Sequence, residues 1–183
     1  MVASGCGGTP GGSADAVGGE EQSRQTEAQT EAIYLVVGGL KYQVQLSRVL
    51  NPADVEDRQY LTGLPATTKR LDRDETWFVI FMRVENDSEE PATSTDRFEI
   101  IDTDENRYRP VRLNPAVNPF AYTERALEPG DLQPSPDSAA GQGPVQGELL
   151  LFRIAISTLQ NRPVQLRFRD PSSREVGVVD LDV

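Results

Sequence analysis

The clearest pattern along the chain is the two-residue alternation of apolar and polar positions that is typical of β-strands. Tyr42, Val44 and Leu46 alternate with polar residues, which predicts that these three side chains share one face of a strand. Residues 77–84 are apolar at every position except Arg83, which predicts a central strand buried on both faces. Further strand patterns lie at 97–101, 107–109, 148–156, 164–169 and 176–183.

Turn signals separate these segments. Residues 86–91, Asn-Asp-Ser-Glu-Glu-Pro, end one strand because Asn and Asp bond their own backbone and Pro cannot continue a ladder. Residues 102–106 form the polar tip of a predicted hairpin. No stretch carries an apolar stripe at helical spacing over more than about two turns. The pattern therefore predicts an all-β sandwich or barrel.

Composition divides the chain into a tail and one domain. Residues 7–30 are rich in Gly, Ser, Thr, Ala, Gln and Glu, which predicts that residues 1–30 form a flexible tether. Residues 31–183 have the size of a single domain. Two long connections interrupt that domain, at 51–74 and in a Pro-rich insertion at about 114–147, and loops of this length are usually functional or disordered.

The tail contains the only cysteine, in Ala3-Ser4-Gly5-Cys6, which resembles the cleavage box of bacterial lipoproteins. Acylation of Cys6 would anchor the protein to the outside of the bacterial cell membrane. Only Met1 and Val2 precede the box, so a signal peptide would have to lie upstream of the sequence given. The alternative is a free thiol in a tail. A layout of thiol, tether and folded domain favours the anchored interpretation.

Several segments together resemble the telokin-like family of bacterial secreted immunoglobulin-like domains, a family of unknown function. They are the turn at 84–91, the hairpin at 98–108, Leu127-Glu128-Pro129-Gly130, and the strand at 148–154. The resemblance implies an immunoglobulin-like β-sandwich of two mainly antiparallel sheets, in an extracellular or lipid-anchored protein, and implies no catalytic residues. The chain departs from the family pattern at Glu105, where the hairpin often has Gly, and in the length of the Pro-rich insertion.

Charge and residue types narrow the function. A net charge of −11 disfavours a nucleic-acid partner, which needs clustered Lys and Arg. The chain contains no histidine, which removes the commonest general base and the usual catalytic triads, so we expect no enzyme. A hydrolase that uses two carboxylates stays open as an alternative. No apolar run is long enough to span a bilayer.

Three groups of residues are candidate sites. Asp102, Asp104 and Asn106 place oxygen ligands on one loop, which is the chemistry that Ca²⁺ prefers, although a plain hairpin turn explains the same residues. Phe120 and Tyr122 lie in the Pro-rich insertion and would bind a partner if their rings were exposed. A basic cluster that suits an anionic wall polymer, with the acidic residues of the hairpin nearby to neutralise it, consists of Arg107, Arg109 and Arg112.

The sequence thus predicts a cell-envelope lipoprotein whose β-sandwich is a non-catalytic binding module for an unknown protein or cell-wall partner. A calcium-stabilised extracellular module is the first alternative, and no other cofactor is expected. The predicted contact surfaces are the Pro-rich insertion and the connection after Leu50, because binding residues commonly lie on loops of a rigid scaffold.

Overall fold

The structure, a computed structural model, describes residues 24–183. Strands dominate this part of the chain, which confirms the predicted all-β class. The strands are β1 (Gln25–Ala28), β2 (Leu35–Val37), β3 (Leu40–Leu50), β4 (Glu75–Glu85), β5 (Ala92–Thr93), β6 (Phe98–Ile101), β7 (Arg107–Tyr108), β8 (Ala126–Leu127), β9 (Leu132–Gln133), β10 (Glu148–Ala155), β11 (Gln165–Arg169) and β12 (Val176–Asp180). The helices are single turns: α1 (Val55–Arg58), α2 (Ala139–Gln142), and 3₁₀ turns at Gln59–Leu61 and Ile156–Gln160.

The strands form two main sheets. Sheet A has the order β1-β12-β11-β6-β7, and sheet B has the order β10-β4-β3-β2 with β9 also paired to β4. Strands β5 and β8 form a separate small pair. Every pairing is antiparallel except that of β1 with β12. The predicted sandwich of two mainly antiparallel sheets is therefore confirmed.

The main core lies between the two sheets. Phe78, Ile80 and Phe152 of sheet B are fully buried there, against Ile100 and Leu166 of sheet A. The predicted hairpin is also present, since β6 pairs with β7 across the polar tip at 102–106. This hairpin and β11 form the part of sheet A that carries the candidate site.

A second core covers the other face of sheet B. Trp77, Val79 and Phe81 alternate with the main-core residues of β4 and pack with Leu50 and Tyr60 on this outer face. The two long connections supply most of the cover, through Leu61, Leu64, Leu71, Phe120 and Val145, and Leu113 adds to it. The predicted central strand with two buried faces is confirmed, because β4 lies between β3 and β10 and has a core on each side. The connections predicted as contact surfaces thus form a third packed layer.

Strand β3 differs from the prediction in one place. A β-bulge leaves Gln45 unpaired, so that Val44 lies opposite Met82 and Leu46 lies opposite Phe81. The extra residue shifts the alternation by one position. Tyr42 and Val44 therefore face the main core, as predicted, whereas Leu46 packs against the second core.

The boundary predicted at residue 30 is wrong, because β1 lies within the segment assigned to the tether. Residues 25–28 pair in parallel with residues 176–179 of β12, and only Ala28 of the four is buried. Backbone hydrogen bonding needs no apolar side chains, which explains why a polar sequence forms this edge strand. Cys6 and most of the predicted tether lie outside the described residues.

Candidate functional site

An arginine-lined cleft lies over the outer face of sheet A. It has a volume of about 1220 Å³ and is open to solvent. It begins at Gln25 of β1, crosses the sheet, and continues between residues 109–113 and 121–124 to the edge of β10. Its basic residues are Arg97, Arg107, Arg109, Arg112, Arg167 and Arg169.

Strand alternation places these guanidinium groups on one face. Leu166 and Phe168 of β11 are buried in the main core, so the alternate residues Arg167 and Arg169 point away from it. Pairing with β6 places Arg97 beside Arg169, since the amide of Arg169 donates to the carbonyl of Arg97 at 3.2 Å.

The hairpin adds the remaining arginines. Arg107 lies opposite Ile101, and Tyr108 packs towards the core, so Arg107 and Arg109 share the outer face. Arg112 follows on the segment that leaves sheet A, where Val111 bridges to Leu151 of β10. Adjacent strands thus bring together arginines that are up to 72 positions apart in the sequence, as Arg97 and Arg169 show.

Two of the six arginines form ion pairs at the solvent surface. Arg107 pairs with Glu99 at 2.8 Å, and Arg112 pairs with Asp96 at 3.0 Å. Exposed pairs of this kind contribute about 0–1 kcal/mol, so an incoming anion can exchange with them at little cost.

Three other arginines, Arg97, Arg109 and Arg169, are exposed and have no side-chain ion pair with any residue in 24–183. The sixth, Arg167, lies deeper on the floor of the cleft and donates from Nη2 to Gln165 at 3.2 Å. Its Nε is buried and has no hydrogen-bond partner within the described part of the chain. The cleft therefore has more donor capacity than the protein itself uses.

The charge of the cleft is opposite to that of the whole chain. Six of the 18 basic residues line it, against three acidic residues, namely Asp96, Glu99 and Glu124, in a protein of net charge −11. The hairpin acids expected to neutralise the cluster, Asp102, Asp104 and Glu105, are not among the lining residues. A concave surface lined with one sign of charge concentrates ions of the opposite sign.

Phe120 and Tyr122, the predicted partner-binding residues, are half-buried against the domain itself. Phe120 packs edge-on against Tyr60 in the second core, with ring centroids 5.2 Å apart. Tyr122 packs edge-on against Phe98 at 5.1 Å, beside the main core. The rings therefore serve different cores and form no common aromatic surface. Tyr122 alone lines the cleft, as part of its apolar wall.

The Tyr122 hydroxyl is the buried end of that side chain. It lies near Ser94 without a hydrogen bond of normal geometry. Burial raises the pKa of the Tyr122 phenol well above its usual value of 10.0. The phenol is therefore neutral and adds no negative charge to the cleft.

The predicted calcium ligands form a hydrogen-bonded turn. Asp102 Oδ1 accepts the backbone amides of Asp104 and Asn106, at 3.0 and 2.9 Å. Asp102 Oδ2 accepts the side-chain amides of Asn106 and Asn161, at 2.9 and 3.1 Å. Burial alone would raise the pKa of Asp102, but these bonds outweigh it and hold the pKa below 3.8.

Both oxygens of Asp102 thus already face N–H donors, and the amide of Asn161 also occupies Asp104 Oδ2 at 2.8 Å. Within residues 24–183, no group of three or more acidic or cysteine side chains is placed to hold a metal ion. These hydrogen bonds account for the conformation of the loop as a turn, and calcium binding by Asp102, Asp104 and Asn106 stays a prediction. No helix of the described chain is long and apolar enough to cross a membrane.

Sequence patterns indicated only half of the basic cleft. Arg107, Arg109 and Arg112 are neighbours in the sequence and were recognisable as a cluster. Arg97, Arg167 and Arg169 were missed, although arginine at alternate positions of the 164–169 strand indicates a basic solvent face. Only the pairing of β11 with β6 places these residues beside the others.

A solved bacterial protein shares this fold. The chain is similar to the yjhA protein from Bacillus subtilis, at 13% identity over 85% of this chain and 100% of that one, with a TM-score of 0.52. It is also similar to an uncharacterized β-sandwich protein from Clostridium difficile 630, at 11% identity over 87% and 96% of the two chains, with a TM-score of 0.45. No protein-family model and no curated protein matches the sequence. Membership of the telokin-like family therefore stays a prediction.

Proposed function

We propose that this chain is a non-catalytic binding module of the bacterial cell envelope that holds an anionic ligand in its arginine-lined cleft. The observation that carries the proposal is the set of exposed arginines without ion pairs among residues 24–183, namely Arg97, Arg109 and Arg169, on one face of a strongly acidic chain. Guanidinium groups bind carboxylate and phosphate well because they offer several N–H donors in a planar fork.

The surroundings of the cleft support binding instead of catalysis. Two of its three acidic residues, Asp96 and Glu99, are held in ion pairs with Arg112 and Arg107. The sequence supplies no histidine as a general base. The remaining acid, Glu124, is exposed at the rim. These groups suit the cleft to attract and orient an anion.

The cell-envelope location is supported by the sequence around Cys6, which resembles a lipoprotein cleavage box. Arg24 lies immediately before β1, and Gln25 of that strand lines one end of the cleft. A fully extended backbone from Cys6 to Arg24 spans at most about 65 Å. A lipid on Cys6 would therefore keep the cleft within that distance of the membrane surface.

The binding proposal is tested by charge reversal with a matched control. The full chain is titrated with fluorescently labelled polygalacturonate and with long-chain inorganic polyphosphate at low salt. The Arg97→Glu/Arg169→Glu variant should bind at least about tenfold more weakly, because two attractive contacts become repulsive. The control, Arg58→Glu/Arg73→Glu, has the same net charge but changes two exposed residues outside the cleft. Equal affinities for the two variants would contradict the proposal.

The anchor is tested separately. The protein is produced from its own gene, with any upstream leader, in a bacterium that processes lipoproteins, and is partitioned between detergent and aqueous phases. The wild-type protein should enter the detergent phase, and Cys6→Ser should move it to the aqueous phase. Detergent partitioning that survives Cys6→Ser would rule out a lipid on this residue.

A further inference from the structure

We infer that the ligand of the cleft is a linear polyanion that crosses the strands of sheet A and contacts several arginines at once, in preference to a compact anion. The inference rests on the proposed function, since it concerns the ligand of the same cleft. It follows from how the positive charges are distributed, how exposed they are, and how open the cleft is.

The arginines are spread across the sheet instead of converging on one point. Arg167 and Arg169 are two residues apart on β11, a separation of about 6.6 Å along the strand. The hairpin arginines begin on β7, two strands from β11, which corresponds to about 10 Å across the sheet. Glu99 of β6 lies between these groups, opposite Arg167. A single phosphate or carboxylate therefore meets only part of the array, whereas a chain of anions can follow it.

The solvent exposure of the cleft arginines also favours a ligand that makes several contacts. The side chain of Arg107 is 55% exposed and that of Arg112 is 89% exposed, and the three arginines without an ion pair in residues 24–183 are exposed too. One ion pair at such a site strengthens binding by roughly fivefold or less. Useful affinity then requires several contacts within one ligand, with the release of bound counterions.

The shape of the cleft fits an extended occupant. Its volume of about 1220 Å³ exceeds the range of roughly 300–1,000 Å³ typical of small-molecule pockets. It is open to solvent instead of enclosed, so an extended chain can lie in it without being threaded through a closed pocket.

The test is a length series in two chemistries. The full chain is titrated with orthophosphate, tripolyphosphate and long-chain polyphosphate, and with mono-, tri- and decagalacturonate, so that the phosphate or carboxylate nature of the preferred chain is also identified. At equal concentration of anionic groups, the long chains should bind at least about tenfold more tightly than the trimers, and the monomers should not bind measurably at millimolar concentration. Contacts with three arginines predict a slope of log K against log salt near −2.

Single substitutions measure how much each arginine contributes to the salt dependence of binding. Arg97→Ala, Arg109→Ala and Arg169→Ala should each reduce the magnitude of the salt slope by about 0.7, whereas Arg73→Ala should leave it unchanged. Equal affinity for trimers and long chains, with both still dependent on the cleft arginines, would overturn the polyanion inference and leave the proposed function standing. Absence of binding to every probe would overturn both.

Discussion

The hairpin at 102–106 offers the sharpest test of how the acidic residues of this protein are used, through the substitution Asp102→Asn. In the structure, Asp102 Oδ2 accepts two side-chain amides, from Asn106 at 2.9 Å and Asn161 at 3.1 Å. Replacing that oxygen by an amide group leaves N–H donors facing each other. If the loop were instead a calcium site, the same substitution would mainly abolish a response to Ca²⁺.

The size of the effect follows from these two bonds. A hydrogen bond to a charged group contributes about 1.5–3 kcal/mol when shielded from water. Asn106 is exposed and Asn161 is half-buried, so water compensates part of the loss. We expect Asp102→Asn to lower the free energy of unfolding by about 2 kcal/mol, which corresponds to about 4–8 °C in melting temperature for a domain of this size.

The assay is thermal and urea unfolding at pH 7, with excess Ca²⁺ or with a chelator. Asp104→Asn is the matched control, because it removes one acidic charge from the same loop but only one exposed hydrogen bond, and should cost less than about 1 kcal/mol. Ca²⁺ should leave the melting temperature of all three proteins unchanged. A cost below about 0.5 kcal/mol for Asp102→Asn, or a wild-type melting temperature that rises with Ca²⁺, would refute the reasoning.

The pH dependence gives an independent check on the same residue. Because the folded-state pKa of Asp102 lies below 3.8, its stabilising contribution is present above that pH and is lost as the pH falls through the folded pKa. The difference in stability between wild type and Asp102→Asn should therefore shrink in acid.

Two further predictions concern buried polar groups. Asn118→Ala should lower the free energy of unfolding in urea by about 3 kcal/mol, because the side-chain amide donates to two carbonyls and accepts from one backbone N–H. The carbonyls are those of Tyr60 and Thr62, and the N–H is that of Phe120. The exposed control, Asn114→Ala, should lower it by less than about 1 kcal/mol. Burial raises the pKa of the Tyr122 and Tyr42 phenols, so stability should be full below about pH 9 and should have fallen by about 1.4 kcal/mol per tyrosine at pH 11, as the unfolded phenols ionise. Tyr122→Phe should reduce the total fall by about 1.4 kcal/mol, and an unchanged fall in the variant would contradict the assigned burial.

The sequence was informative where structure is decided locally. The continuous apolar run of 77–84 identified β4, because a strand that is buried on both faces has apolar residues at successive positions instead of an alternating pattern. The hairpin was recognisable from its turn residues, and Glu105, which stands where the family often has Gly, has a φ of 62° in the left-handed region. The hairpin therefore keeps the expected backbone shape with a residue less suited to it.

The sequence was uninformative where structure depends on a distant partner. The bulge at Gln45 exists only in the register between β3 and β4, and so reversed the predicted face of Leu46. Strand β1 has almost no apolar signal, because its backbone pairing with β12 provides most of its contacts. Only half of the cleft arginines could be recognised from the sequence for the same reason, since Arg97 and Arg169 become neighbours only through the order of strands in sheet A.

Strand β4 has a consequence for how the domain opens. Its neighbours β3 and β10 satisfy its backbone on both edges, and a core shields each of its faces. No local fraying can expose such a backbone to solvent, so its amide protons exchange with deuterium only when the whole domain unfolds. The exchange rate of β4 therefore reports global stability, whereas the exchange rate of edge strand β1 reports local detachment of the segment that leads to Cys6.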